Sequence, residues 1–245
     1  MTRGMDTLQY HAVDGRRIAY HHLSGAGPAL VFLPGYRSDM AGMKAGAVAD
    51  WARAQGRECL LLDYSGCGRS DGDFAEGTLS RWRDEVLALI ETVVSNPVVL
   101  IGSSMGGWLM LLVAEGLGGR LHALMGIAPA PDFTDWGRSD ADKLRLATGE
   151  TLFDENPYGV DPSPIHAGFW ADGQANGRLG SVIALDCPVR LVHGMRDGVV
   201  PWDVSLRLAD ALRSTRVHVT LIKDGDHNLS REQDIALLLG IIATI

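Results

Sequence analysis

Short apolar runs separated by amphipathic stretches occupy most of this chain. Leu8 to Val13 and Arg17 to Leu23 flank Asp14-Gly15, a dipeptide suited to a tight hairpin turn, and predict two antiparallel strands. Ala29 to Leu33, Cys59 to Leu62 and Val98 to Ile101 are apolar runs that read as buried strands, and Leu124 to Ala128, Val189 to Gly194 and Val217 to Ile222 read as further strands. Helical patterns fall between them: about Asp39 to Ala54 with Gly56 as its C-cap, Thr78 to Val94, Trp108 to Ala114, Trp202 to Leu212, and a terminal helix opened by the S-x-x-Q pattern Ser230 to Gln233. Strand and helix in alternation predict an α/β fold, a mostly parallel, doubly wound sheet of about eight strands with its site at the strands' C-terminal ends.

From Pro129 to Cys187 the alternation breaks. Pro129, Pro131, Pro157, Pro162 and Pro164 interrupt a segment that also holds Phe133, Trp136, Phe153, Tyr158, Phe169 and Trp170. A structureless loop of that length does not suit a compact domain. The reading is one domain over residues 1–245 with an inserted helical cap at about 131–186. Trp136, Phe169 and Trp170 are the candidates to line a substrate pocket, and the competing role for each is to pin the cap to the body.

Between the strand ending at Ile101 and the helix starting near Trp108 lies Gly102-Ser103-Ser104-Met105-Gly106-Gly107. A sharp strand-to-helix turn strains its middle residue and leaves no room for side chains two positions away on either side. Gly102 and Gly106 meet that need around Ser104, giving G-x-S-x-G, whereas Ser103 has Ile101 and Met105 at the same offsets. With 30 Gly in 245 residues the bare pattern arises about 0.2 times by chance, so its partners must decide.

A serine hydroxyl needs a base to take its proton and an acid to orient that base. Asp197, just past the strand at 189–194, and His227, just past the strand at 217–222, follow Ser104 in the order such sheets use. Asp132 is a competing acid, disfavoured because it begins the cap. Of the other histidines, His11, His21 and His22 lie in the opening hairpin, His122 and His218 within or beside strands, His166 in the cap, and His193 precedes a turn glycine. The oxyanion of the reaction would be met by the backbone N–H groups of Met105 and, from the loop after the first apolar strand, Tyr36.

Composition narrows the partners. The net charge of −8 with scattered basic residues argues against nucleic acid or an anionic membrane surface, and no apolar run approaches the ~20 residues of a membrane span. Cys59, Cys67 and Cys187 are too far apart to form a C-x-x-C pair, and no His or Cys pair has ligand spacing. No metal or cofactor is expected, the partner is a small or acylated substrate, and the oligomeric state is not fixed by the pattern. Residues 1–17 lack an apolar leader core, so a cytoplasmic home is expected. The glycine-rich turn Asp63 to Ser70 lacks the features of a phosphate cradle and reads as structural.

These motifs resemble the α/β-hydrolase family throughout. More narrowly, Leu33-Pro34-Gly35-Tyr36 with Ser38 and Lys44-Ala45, Asp63-Tyr64-Ser65-Gly66 with Ser70-Asp71-Gly72, Gly102-Ser103-Ser104 with Gly106 to Leu111, and His193-Gly194-Met195 with Val200-Pro201-Trp202 resemble that family's mitochondrial depalmitoylating and acyl-glucuronide-cleaving branch in animals. The resemblance runs from about Ala29 to the C-terminus. It implies a triad of Ser104, Asp197 and His227 and a carboxylesterase or thioesterase acting on acyl groups. Cys67 stands where many members carry histidine, and the cap is the least similar part. A serine peptidase or carbon–carbon bond hydrolase on the same triad is the enzymatic alternative. A ligand-binding module that kept the fold is the non-catalytic one.

Overall fold

The computed structural model describes residues 7–155 and 161–245. Pro157, Tyr158 and the first six residues of the opening segment lie outside the described residues. The chain begins with β1 (Gln9–Val13) and β2 (Arg16–Leu23), an antiparallel pair around Asp14 and Gly15, both at positive φ as the dipeptide predicts. Next come β3 (Ala26–Leu33), α1 (Met43–Gln55), β4 (Arg57–Leu62), α2 (Leu79–Val93), β5 (Val98–Ser103), α3 (Met105–Leu117) and β6 (Leu121–Ile127). After the inserted segment follow β9 (Val189–Gly194), α6 (Asp203–Ala211), β10 (Val217–Ile222) and α7 (Glu232–Ile242). The segment itself carries α4 (Asp140–Ala147), β7 (Leu152–Asp154), β8 (Ser163–Ile165) and α5 (Ala167–Ala175).

Eight strands form one sheet in the order β1-β2-β4-β3-β5-β6-β9-β10, antiparallel at the β1-β2 and β2-β4 pairs and parallel elsewhere. Alternation of side chains across the sheet divides the core into two layers. From β5, Val98 and Leu100 face the α2 and α3 side with Trp82, Leu89 and Leu109, while Val99 and Ile101 face the α1 and α7 side with Val48, Ala52 and Leu238. The α3 helix is buried on nearly its whole circumference, from Met105 to Ala114, because the sheet lies on one side of it and α2 and the inserted segment on others.

Strands β3 and β6 and helix α3 each begin three residues earlier than the sequence reading, and three further differences have a local cause. Helix α1 starts at Met43 rather than near Asp39, because Asp39 is used in a turn, its carboxylate accepting from Ala41 N–H at 2.9 Å. Helix α7 is capped by Asp234, which accepts the Arg231 N–H at 3.2 Å, and not by the Ser230 pattern. The inserted segment also contains the antiparallel pair β7-β8 beside its helices. Each of those strands is three residues long and β8 contains Pro164, so neither reaches the length at which periodicity can be read.

The turn after β4 is structural, as read. Asp63 accepts from Met40 N–H and Arg69 N–H, both at 2.7 Å, and ties this turn to the loop after β3. Burial, reinforced by Asp63 and Glu85, pushes the Cys67 thiol up to about 12, which favours its protonated form.

Candidate active site

Ser104 occupies the bend between β5 and α3 with φ 55° and ψ −122°, a backbone conformation that strains any residue with a side chain by about 1–3 kcal/mol. Its surroundings hold it there. Ser104 N–H donates to Ile127 O at 2.9 Å, and its carbonyl accepts from Gly107 N–H at 2.8 Å and Ala130 N–H at 3.0 Å. The flanking glycines are needed for space: a Cβ on Gly102 would lie 2.3 Å from Gly106 O, and one on Gly106 would lie 2.1 Å from Leu33 O. On the other side the Pro34-Gly35-Tyr36 turn presses against the serine, with a Cβ on Gly35 falling 3.3 Å from Ser104 Cβ. Two of the sequence's separate glycine motifs therefore pack against one residue.

Asp197 lies in the loop after β9 and His227 in the loop after β10. The two loops are laced together by Arg196 N–H to Gly225 O at 2.9 Å, and Gly194 is packed so closely on Gly225 that a Cβ there would sit 2.3 Å from its carbonyl oxygen. The Asp197 side chain is fully buried, and its Oδ1 accepts from Val199 N–H and Val200 N–H, both at 2.8 Å. Its Oδ2 accepts from His227 Nδ1–H at 2.7 Å, which leaves His227 Nε2 to accept from Ser104 Oγ–H at 3.0 Å. Burial alone would raise the Asp197 pKa, but hydrogen bonds from His193 and His227 together with the Val200 amide outweigh it and hold the carboxyl well below its usual range. A carboxylate can only accept, so this geometry selects the His227 tautomer that presents a lone pair to the serine. Lys44, on α1, donates to Asn228 O at 2.5 Å and so anchors the residue after His227.

That depressed pKa predicts a pH signature in stability. Unfolded Asp197 takes its proton near the ordinary ~3.9 while the folded side chain still resists, so its stabilising contribution is complete above about pH 5 and is lost as pH falls below about 4. Urea unfolding of wild type and Asp197→Asn is expected to give a stability gap that narrows between about pH 6 and pH 3.5. A gap independent of pH over that range contradicts the assignment.

A cavity of about 840 Å³ opens above the serine. Ser104, Met105 and His227 form its floor with Gly35 and Tyr36, and Phe133, Trp136, Arg138, Asp154 and Ile165 of the inserted segment contribute to its wall. Met105 is the first residue of α3, so its N–H has no partner within the helix and is available to a ligand oxygen. Trp136 lines the cavity. Phe169 and Trp170 do not. Phe169 is buried in the body core against Tyr36, Trp82 and Phe133, with ring centroids 4.8, 5.6 and 5.9 Å away, and Trp170 packs against Leu146, Leu152 and Ile165. Their helix, α5, is pinned by Asp172, which accepts from Ser80 N–H at 2.9 Å and Ser80 Oγ at 2.7 Å, and by Trp108 Nε1–H to Asn176 O at 3.0 Å.

Asp132, the competing acid, accepts from Arg178 N–H and Leu179 N–H, both at 2.8 Å, whereas it is Asp197 that His227 Nδ1 meets. Sequence reasoning passed over His193, which touches Asp197 directly. The signal was present as the i, i+4 pair His193 and Asp197 at a strand end. Among the described residues no three His, Cys, Asp or Glu side chains converge to hold a metal ion, and no helix is long and apolar enough to cross a membrane.

Known proteins carry the same arrangement of chain. Residues 30–238 match the model of the alpha/beta hydrolase family. The chain is 37% identical over 238 residues to the human palmitoyl-protein thioesterase ABHD10, mitochondrial, covering 94% of this chain and 76% of that protein. It superposes on the solved alpha/beta hydrolase domain-containing protein 10 from mouse with a TM-score of 0.90 at 37% identity, over 97% of each chain. A 2-hydroxymuconate semialdehyde hydrolase of Pseudomonas sp. (strain CF600) is 26% identical over 234 residues, 81% of this chain and 80% of that protein. By family model, sequence and fold alike, this chain belongs to the α/β-hydrolase family.

Proposed function

We propose that this chain is a serine hydrolase of acyl esters and acyl thioesters, working through an acyl-enzyme on Ser104. The observation that carries the reading is the continuous hydrogen-bonded line from Asp197 Oδ2 through His227 to Ser104 Oγ, at 2.7 and 3.0 Å, beneath an open cavity. Ser104 Oγ attacks the acyl carbonyl carbon as His227 Nε2 takes its proton. The oxyanion is met by Met105 N–H and Tyr36 N–H. His227 then gives the proton to the departing alkoxide or thiolate, and water repeats the sequence to free the acid. Residues 1–245 act as one domain, with the segment at about 131–186 as a cap that supplies the acyl wall.

Thioester chemistry is favoured over carbon–carbon cleavage by the relatives: the thioesterases are 37% identical to this chain and the semialdehyde hydrolase 26%. The test is a panel of p-nitrophenyl esters and acyl thioesters of increasing chain length beside aminoacyl arylamides. Turnover of esters and thioesters is expected, and activity confined to the arylamides contradicts the proposal.

Because Trp136 lines the cavity and Trp170 does not, their alanine variants should separate. Trp136→Ala is expected to raise the ratio of octanoyl to butyryl kcat/KM by about 3- to 10-fold, and Trp170→Ala to leave it near the wild-type value. Equal shifts in both variants would remove Trp136 from the acyl wall. A cytoplasmic location is retained as part of the proposal, against relatives named as mitochondrial; the three unpaired cysteines suit either reducing compartment, and fractionation of the native host decides it.

A further inference from the structure

His193 is a fully buried histidine that the proposed reaction does not use. Its Nε2 lies 3.1 Å from Asp197 Oδ2 and 3.1 Å from Val200 O. Both are oxygens that can only accept, so Nε2 carries the proton and donates. Its Nδ1 lies 2.7 Å from Ser205 Oγ, and Ser205 is itself fully buried on α6. The ring therefore joins the end of β9 to the start of α6 and encloses the loop that carries the acid.

Asp197 then has four donors: the amides of Val199 and Val200 on Oδ1, and His227 and His193 on Oδ2. Two amides on one oxygen still allow the carboxylate to tilt. A second donor on Oδ2, beside His227, restricts that freedom, because a tilt then strains one of two hydrogen bonds on the same oxygen. The 2.7 Å contact to His227 is the shorter of the two, so His193 holds the oxygen without replacing His227 on it.

We propose that His193, itself set by Ser205, is a positioning residue that holds the Asp197 carboxylate in the orientation His227 requires. This inference rests on the triad reading above. A leucine at 193 would fill the space and remove the donor, Gln would place an amide N–H near the position of Nε2, and Asn would reach only as far as Nδ1.

The experiment measures kcat and KM for p-nitrophenyl butyrate, thermal melting, and the low-field proton resonance of His227 Nδ1–H in His193→Leu, His193→Gln, His193→Asn, Ser205→Ala and Asp197→Ala. His193→Leu is expected to lose about 10- to 100-fold in kcat with KM within about threefold of wild type, and to lose or broaden the low-field resonance. His193→Gln is expected to recover both. Ser205→Ala is expected to lose about 3- to 10-fold in kcat, since it frees the ring without deleting the donor. A His193→Leu variant with kcat within twofold of wild type overturns the proposal. Should that variant not fold, the amide pair decides: Gln is expected to be at least tenfold more active than Asn, and equal activities overturn it. Asp197→Ala separates the two levels of the argument, because wild-type activity in that variant removes the triad itself, whereas its inactivity beside an active His193→Leu removes only the role of His193.

Discussion

Replacing Ser104 by alanine is expected to lower kcat on acyl esters by about 10⁴-fold or more while the protein still folds. The hydroxyl hydrogen-bonds His227 at 3.0 Å, so its loss removes the proposed nucleophile and leaves Asp197 and His227 paired at 2.7 Å. On the proposed mechanism, what remains is binding in the cavity and the proposed donors at Met105 and Tyr36, which would act on a carbonyl with nothing positioned to attack it. The backbone makes a second, opposite forecast for the same position. At φ 55° and ψ −122° any residue with a Cβ is strained, so Ser104→Gly should be equally inactive yet more stable than wild type, by about 1–3 kcal/mol. Kinetics with p-nitrophenyl esters and denaturant unfolding of both variants check the pair. An inactive protein that gains no stability with glycine would mean that the bend is not strained at Ser104.

Gly106→Ala is expected to have the largest effect on stability. The added methyl would lie 2.1 Å from Leu33 O and 2.5 Å from Pro34 O, and both are backbone atoms at the end of a central strand with no side chain that could swing away. Relief requires α3 to move off the sheet, which opens the most buried helix of the molecule and displaces Met105 from the cavity floor. A loss of about 4 kcal/mol or more follows, together with loss of activity. Gly46→Ala, where a Cβ meets nothing within 4 Å on the exterior of α1, is the matched comparison and should be neutral or slightly stabilising. Equal destabilisation by the two substitutions would contradict the packing of α3 on β3.

The same contrast explains what could be read from the sequence. Buried parallel strands announce themselves because both faces must be apolar, so β5 appears as an unbroken run, whereas β6 begins three residues before the apolar run, at Leu121 and the exposed His122; the boundaries of β9 and β10 fall where expected. The elbow was legible because steric exclusion around Ser104 leaves only glycine at 102 and 106. The meeting of Asp197, His227 and Ser104 was legible because the topology puts each loop at the C-terminal edge of a strand. Residues whose roles depend on tertiary contact were not. Nothing local distinguishes Trp136, which lines the cavity, from Phe169, which is buried beneath it, since both are large apolar residues in one irregular segment. His193 was hidden for the opposite reason: a histidine before a turn glycine is common, and only the fold brings its ring against Asp197 and Ser205. At the cap of α7, a serine pattern one residue early competed with Asp234, and the aspartate prevailed because it also pairs with Arg231 at 2.8 Å.

The central claim is that Ser104 is the nucleophile that carries the acyl group. The most direct measurement is mass spectrometry of the protein after reaction with a fluorophosphonate, with the modified peptide sequenced. One adduct per chain on Ser104, absent from Ser104→Ala and strongly slowed in His227→Ala, is the predicted result. An adduct on any other residue, or undiminished labelling of Ser104→Ala, would contradict it.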